Sequence, residues 1–409
     1  MEVVLPACCG LDVHQKTVVA SVRLIGAQGR VTKHLRTFGT MTADLTALAA
    51  WLQTLGVTHV ALESTGVLWK PVWNVLETTV TLLLVNPRDV AQVPGRKTDV
   101  SDAEWIAQLL QCGLLRGSFV PPRAIRELRD LTRSRTSVEQ QRTAVINRIH
   151  KVLEDANVKL GTVATDITGV SGRAMLQALI DGETDPGALA ALARGKLRRK
   201  VPALQLALAG AVREHHRFLL RRLMSELTFL DQEVSAYDQR LREVSAAITP
   251  QLLQLDTIPG VDRRTAENLV AEVGTDMRVF PTAAQLVSWA AMCPGHYQSA
   301  GRQTHGTIRK GNRWLRRALV QAAWGATRKK DCYPRAQYYR LAQRRGKHRA
   351  IVAVAHTLLV AVYYILRDGV EYRDLGPDHF ERLAPAKLTR SLVHRLEQLG
   401  HRVTLDPAA

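Results

Sequence analysis

The chain has 409 residues, with 56 Lys+Arg against 37 Asp+Glu and a formal net charge of +19. Hydrophobic residues make up 46%, which excludes a largely disordered chain, and the length predicts two or three domains rather than one core. A balance this basic points to a polyanionic partner, nucleic acid above all, and residues 296–350 concentrate it, with 15 Lys/Arg against the single acid Asp331.

The five cysteines, Cys8, Cys9, Cys112, Cys293 and Cys332, are odd in number and form no C-x-x-C pair. That is neither a disulfide framework nor a zinc site, and it fits a reducing cytoplasm. The N-terminus lacks a basic leader and Asp12 interrupts its apolar run, so no secretory signal is expected. Residues 350–366 carry no charge and are bounded by Arg349 and Arg367. At that length a buried core helix is expected rather than a membrane span.

In chain order, residues 3–9, 17–24 and 31–38 read as strands separated by polar or glycine turns. A helix is expected over 42–55, with Leu45, Leu48, Ala49 and Leu52 at helical spacing and Thr42 as its cap. Residues 59–62 form a short apolar strand, 68–77 a helix, 80–85 a strand stopped by Asn86-Pro87, and 100–115 a third helix. The order β-β-β-α-β-α-β-α matches the ribonuclease-H-like arrangement, among other mixed α/β folds.

A linker with Pro121-Pro122 follows, then a long polar helix over 124–159 with Val138, Val145, Ile149 and Val152 on one seam. Residues 160–205 are short helical pieces, broken by glycines, Asp185-Pro186 and the basic run 196–200. A second long helix runs to about residue 247, and Leu220, Leu223, Leu227, Leu230, Val234, Tyr237, Leu241 and Val244 alternate in steps of three and four. This is a heptad seam, compatible with self-association or with a helical hairpin inside one subunit. The expected organisation is 1–118 as an α/β catalytic domain, 124–247 as a helical coiled-coil domain, 250–372 as a mostly α C-terminal domain, and 373–409 as a tail.

Carboxylates fall where elements of the first domain end. Asp12 lies in Gly10-Leu11-Asp12-Val13-His14, Glu63 in Leu62-Glu63-Ser64-Thr65-Gly66, and Asp99 and Asp102 in Lys97-Thr98-Asp99-Val100-Ser101-Asp102. Each alone is an ordinary cap or surface charge. Converging, they would repel unless a divalent cation neutralised them, and two Mg²⁺ ions so held can bind both oxygens of a phosphodiester displacement.

In the C-terminal domain, Ile258-Pro259-Gly260-Val261 with the apolar positions after it resembles a helix-hairpin-helix, whose glycine turn points N–H groups at a phosphate. An αα turn without a ligand reads the same way. Ser299 sits among small residues in Tyr297-Gln298-Ser299-Ala300-Gly301-Arg302. It precedes Arg309-Lys310-Gly311-Asn312-Arg313-Trp314-Leu315-Arg316-Arg317. A serine there could attack a phosphate, but it needs a general base or a metal, and the residue chemistry alone favours an ordinary loop serine.

These motifs occur together in the order seen in the DEDD-type insertion-sequence transposases, which the chain resembles over about residues 5–372. The resemblance implies a RuvC-like N-terminal domain, a coiled-coil middle and a C-terminal transposase domain. It implies that Asp12, Glu63, Asp99 and Asp102 hold Mg²⁺ and that Ser299 attacks DNA to form a phosphoserine intermediate. Relatives often carry a second serine just before the catalytic one. Here that position is Gln298, so Ser299 is the one candidate in the loop. The expected partners are double-stranded donor and target DNA, a structured non-coding bridge RNA, and further copies of the chain as a homodimer or homotetramer. Gly260, Arg302, Arg309, Lys310, Asn312, Arg313, Arg316 and Arg317 are the expected nucleic-acid contacts. Two other readings stay open: a metal-dependent junction resolvase that uses water, and a non-catalytic nucleic-acid-binding coiled-coil protein.

Overall fold

The structure is a computed structural model and describes residues 3–26, 29–64, 66–87, 90, 101–295, 297–299, 302–304, 308–383 and 385–405. The chain divides into two compact units, Met1–Val120 and Pro121–Ala409.

The first unit is built on five strands: β1 (Ala7–Val13), β2 (Thr17–Ile25), β3 (Val31–Gly39), β4 (His59–Ser64) and β5 (Thr81–Val85), in the order β3-β2-β1-β4-β5. The first three pair antiparallel, whereas β4 and β5 run parallel to β1. The helices are α1 (Thr42–Thr54), α2 (Trp69–Leu76) and α3 (Asp102–Gln111).

Successive strand residues face opposite sides of a sheet, and β1 uses this to separate two jobs. Cys9, Leu11 and Val13 enter a core shared with Leu45, Leu48 and Leu52 of α1 and Val72 and Leu76 of α2. Cys8, Gly10 and Asp12 face the other side, where Cys8 joins Ala61, Ile106 and Leu109 under α3. Cys8 and Cys9 therefore point apart, and all five cysteines are free. Burial pushes the Cys8 thiol up to about 11, so it behaves as a small core residue.

Asp12 and Glu63 were expected just after their strands; both lie inside them, near the carboxyl ends. Hydrogen bonding along β1 continues past Cys9 because Gly10-Leu11-Asp12-Val13 pairs on both edges, with β2 and with β4.

The second unit is helical apart from one β-hairpin. Its helices are α4 (Arg123–Asp155), α5 (Leu160–Val163), α6 (Val170–Asp181), α7 (Pro186–Ala191), α8 (Val201–Leu208), α9 (Glu214–Val244), α10 (Thr249–Asp256), α11 (Arg263–Val273), α12 (Ala283–Trp289), α13 (Arg313–Arg328), α14 (Tyr333–Arg345), α15 (Lys347–Asp368), α16 (His379–Arg382) and α17 (Pro385–Gln398). The last two stand where only a featureless tail was expected. The hairpin pairs β6 (Tyr297–Ser299) with β7 (Arg302–Thr304).

Helices α4 and α9 lie antiparallel. Arg135 pairs with Asp238, Arg142 with Asp231 at 2.6 Å and Arg148 with Glu226 at 2.7 Å, so partners advance along one helix as they retreat along the other. The heptad seam is used within the chain: Leu220, Leu223, Leu227 and Leu230 are buried with Val145, Ile149 and Leu153 of α4 and Met175 and Leu179 of α6. The hairpin alternative is the one the fold adopts for this stretch of α9.

Helix α15 contains the uncharged run. It is long and apolar enough to cross a membrane by length and composition, and half of its most apolar window is buried in this unit.

Because Leu227 and Leu230 are core residues of this unit, Leu227→Asp with Leu230→Asp should unfold the hairpin rather than release a folded monomer. Burying two unpaired charges costs several kcal/mol, roughly. A thermal melt by circular dichroism checks this: an unchanged midpoint would refute the intramolecular seam.

Candidate active site and nucleic-acid interface

In the first unit the parallel register of β1 with β4 pairs Asp12 with Glu63, so the two carboxylates leave the same face of neighbouring strands. Helix α3 crosses that face. Val4 and Leu5, ahead of β1, donate to the carbonyl of Gln111 at the end of α3. The Cys8 thiol meets the Ala107 carbonyl, and Gly10 lies under Ala103 and Ala107. The helix therefore runs antiparallel to β1 and brings its N-terminus toward the end that carries Asp12.

Asp102 is the first residue of α3, and Ser101 caps the helix by accepting from the Glu104 N–H at 3.3 Å. Asp102 is thus favoured locally by the helix dipole as well as placed at the acid edge. Asp99 lies outside the described residues.

Gly10 is the hinge of this geometry. A β-carbon there would sit 2.2 Å from the Ala103 carbonyl oxygen and 2.4 Å from the Ala107 nitrogen. Both obstacles are backbone, so neither can rotate away.

His14, two residues after Asp12, reaches its carboxylate: His14 Nε2 lies 3.0 Å from Asp12 Oδ2. The sequence carried a signal for this pair, since residues two apart on a strand share a face. Asp12, Glu63 and Asp102 do not close to ligand-to-ligand distance. Among the described residues the one group of three donors within 4.8 Å of one another is Asp155, His215 and His216. The chemistry of the acid set still fits a hard cation: the three carboxylates lie toward one end of the sheet and offer only oxygen donors.

The Asp155 group has a structural explanation. His216 is buried, its Nδ1 accepts from the Arg213 N–H at 3.1 Å, and its Nε2 lies 2.7 Å from Asp155 Oδ2. With Nδ1 accepting, Nε2 carries the proton and donates, so both nitrogens are used in tying the start of α9 to the end of α4.

In the second unit the register pairs Ser299 with Arg302 across the hairpin, and Pro294 and Ile308 bridge at its foot. The predicted nucleic-acid residues divide. Lys310, Arg313 and Arg317 are exposed, and Arg313 lies over the Trp314 ring at 4.9 Å. Arg309, also exposed, donates to the Ser288 carbonyl at 3.1 Å and hydroxyl at 3.0 Å.

Two of the expected contacts have partners within the fold. Arg316 donates to the carbonyls of Arg309 at 2.6 Å and Ala291 at 3.2 Å, closing the base of the hairpin segment. Asn312 caps α13, its Oδ1 accepting from the Trp314 and Leu315 N–H groups, and its amide donates to Glu272.

Gly260 likewise has a packing role. Its φ is +81°, and a β-carbon would strike the Ala322 oxygen at 2.2 Å and the Ala326 nitrogen at 2.3 Å. The turn between α10 and α11 is pressed onto the backbone of α13.

Glu272 was not legible as important. It is 2% exposed and receives both arms of Arg133, at 2.7 and 2.8 Å, as well as Asn312. Arg129 donates to the neighbouring carbonyls of Ala271 and Glu272 at 2.8 Å. This cluster locks α4, α11 and α13 together. A glutamate in a helix that also carries Arg263, Arg264 and Glu267 gives no sign of partners more than a hundred residues upstream.

Clustered carboxylates at the ends of central strands, with a basic helical unit in the same chain, are the parts of a metal-dependent enzyme acting on nucleic acid. Residues 9–158 match the DEDD-type IS110 transposase family, and residues 253–340 match the transposase IS116/IS110/IS902 family. The chain belongs to the DEDD-type IS110-family insertion-sequence transposases, enzymes that cut and rejoin DNA.

The transposase for insertion sequence element IS1111A of Coxiella burnetii is 25% identical over 303 residues, 71% of this chain and 72% of that protein. A probable family 20 transposase of Pseudomonas aeruginosa is 26% identical over 306 residues, 72% of this chain and 79% of that protein. An insertion element IS110 protein of Streptomyces coelicolor is 34% identical over 165 residues, 40% of each chain. Family membership implies a divalent metal ion.

Two substitutions test this geometry. Gly10→Ala must push α3 off the sheet and should abolish strand cleavage while lowering the melting temperature, because backbone blocks the added methyl; wild-type cleavage by this variant would contradict the placement of α3. In the basic region, Arg317→Ala should reduce the slope of log K against log salt on duplex DNA by about 0.9, one lost phosphate contact. Arg316→Ala should instead lower the melting temperature, since it unties two carbonyls. Equal slopes for Arg317→Ala and wild type would remove Arg317 from the interface.

Proposed function

We propose that this transposase transfers strands of double-stranded DNA through a phosphoserine intermediate on Ser299, with Mg²⁺ at an acid set of Asp12, Glu63, Asp99 and Asp102. The observation that carries the reading is the pairing of Asp12 with Glu63 on neighbouring parallel strands, with the N-terminus of α3 brought to the same edge. Such an edge belongs to a RuvC-like, ribonuclease-H-like domain, and the strand order β3-β2-β1-β4-β5 supports that fold. We divide the helical unit further into a hairpin domain over 124–247 and a transposase domain over 250–372, with 373–409 following it.

Bound Mg²⁺ would supply charge neutralisation at the reacting phosphate. The protein's own residues do the rest. Asp12, Glu63, Asp99 and Asp102 would hold the cation, and His14 would orient the Asp12 carboxylate. Ser299 Oγ attacks phosphorus, forms a serine–phosphate ester and frees a DNA hydroxyl; an incoming DNA hydroxyl later attacks that ester and restores the serine. The two ester bonds are of like energy, so rejoining needs no external source.

Arg302 stabilises charge on the pentavalent phosphorus, and Lys310, Arg313 and Arg317 hold flanking phosphates. The chemistry requires the acids and the serine to reach one phosphate, in one subunit or across two copies of a homodimer or homotetramer. Base pairing by a structured bridge RNA selects donor and target, because phosphate contacts carry no sequence information. The setting is the bacterial cytoplasm.

Denaturing electrophoresis of end-labelled DNA, with Mg²⁺ and the element's RNA, separates this mechanism from a resolvase that uses water. Wild type should give a protease-sensitive, slow-migrating DNA species that is lost in Ser299→Ala. Asp12→Asn and Glu63→Gln should lose cleavage and keep DNA binding. A Ser299→Ala protein that still cuts and rejoins DNA would establish the water mechanism instead.

A further inference from the structure

A groove of about 1080 Å³ opens at the foot of the Ser299 hairpin. Pro294 and Ile308, which bridge to close the hairpin, both line it. Its far walls are Leu341 of α14 and Val352 and Ala353 of α15, so its interior is mainly apolar. The rim is cationic, with Arg345, His348 and Arg349 at the turn that joins the two helices.

Arg345 closes α14, where a cation suits the helix dipole, but the other side of the rim is expensive for the fold. The first turn of α15 holds Lys347, His348 and Arg349, contains no acid, and has no side-chain cap at Gly346. Cations at a helix N-terminus oppose its dipole, and acids are the stabilising choice there. Among the described residues, Arg345, His348 and Arg349 form no ion pair, and all three are exposed. The N–H groups of the first turn, two guanidiniums and the His348 imidazole therefore line the same rim with no anion of the chain to answer them.

An apolar trough under an anion-binding rim matches a nucleotide lifted out of its stack, with base inside and phosphate at the mouth. We infer that this groove holds one unstacked nucleotide of the DNA strand beside the scissile phosphate, its flanking phosphates bound by Arg345, His348 and Arg349. A duplex segment does not suit the site, since paired bases present no apolar face to a trough. The floor adds a polar group: Gln337 donates to the Thr357 hydroxyl at 2.9 Å, while its Oε1 is buried without a partner. The inference rests on the hairpin being the cutting loop, and its test reads binding rather than cleavage, so that the two can fail separately.

The test uses the full chain and a single-stranded oligonucleotide with one 2-aminopurine between adenines, whose emission is quenched by stacking. Binding to wild type should raise the emission. Ala353→Trp fills the trough and should keep affinity but abolish the rise; Leu341→Trp, on the opposite wall, repeats the test if the first variant fails to fold. Arg345→Ala with Arg349→Ala should weaken binding and lower the salt slope by about 1.4, two phosphates on a single strand. Wild type without an emission rise, or a folded Trp variant with an undiminished rise, would overturn the nucleotide pocket. An unchanged slope in the double arginine variant would overturn the phosphate-binding rim. Loss of cleavage chemistry at Ser299 would leave these binding results standing.

Discussion

The first unit of this protein depends on one steric constraint, the contact of α3 with β1 at Gly10. Backbone meets backbone there, with no room for a β-carbon. Close packing makes such a contact rigid. A helix held that tightly has its N-terminus fixed along the strand as well as above it, and so Asp102 is delivered to the edge where Asp12 and Glu63 emerge. The strand register supplies the other half of the precision, since a slip of one residue would turn Asp12 into the apolar core and Leu11 out toward α3. Neither device uses the carboxylates themselves. The fold positions like charges without asking them to attract one another, which is what an edge designed to be neutralised by a cation requires.

The helical unit solves its own assembly problem with ion pairs rather than close backbone contact. Glu272 is buried, and a buried carboxylate is tolerable only if its lone pairs are filled. Arg133 and Asn312 fill them from two different helices. The same amide group of Asn312 that donates to Glu272 belongs to the residue capping α13, so the start of the helix carrying Arg313 and Arg317 is fixed by the cluster. Removing one partner would strand the others, typically at about 3–5 kcal/mol. The hairpin of α4 and α9 adds its ladder of arginine–carboxylate pairs along the outside of an apolar seam, where each rung sets register more than it adds stability.

What was legible in the sequence follows from range. The alternation in β1 and the heptads of α9 are periodic, so strand, helix and buried face could be read directly. Asp12, Glu63 and Asp102 were singled out because their motifs occur together, and the register that pairs Asp12 with Glu63 follows from the strands around them. Three things were not legible. The partner of the heptad seam is a tertiary fact; only the complementary charges of α4 and α9, Arg142 against Asp231 and Arg148 against Glu226, reveal it. The hairpin around Ser299 is three residues per strand, too short for a periodic signal. The internal partners of Asn312 and Arg316 were hidden because their neighbours in sequence are cations. In space their nearest partners are a carboxylate and two carbonyls.

Those internal partners bear on how a basic protein should be interpreted. The net charge of +19 is a sum over arginines with different occupations. Arg133, Arg135, Arg142, Arg148 and Arg264 are committed to carboxylates of this chain, and Arg316 to its carbonyls. A guanidinium already holding a carboxylate must give up that partner to take a phosphate, so it adds little to counterion release. The cations that can bind DNA are those the fold leaves without an anion. By that criterion we propose an interface narrower than the run from 296 to 350: Lys310, Arg313 and Arg317, and Arg345 and Arg349 at the turn into α15, are exposed and form no ion pair among the described residues, as is true of Arg328, Lys329, Lys330, Arg344 and Lys347. Lys347, His348 and Arg349 open α15 with no acid in its first turn, which works against the helix dipole, whereas Arg345 closes α14, where a cation suits it. A helix start that carries cations and no acid is therefore a better guide to a phosphate site than local charge density.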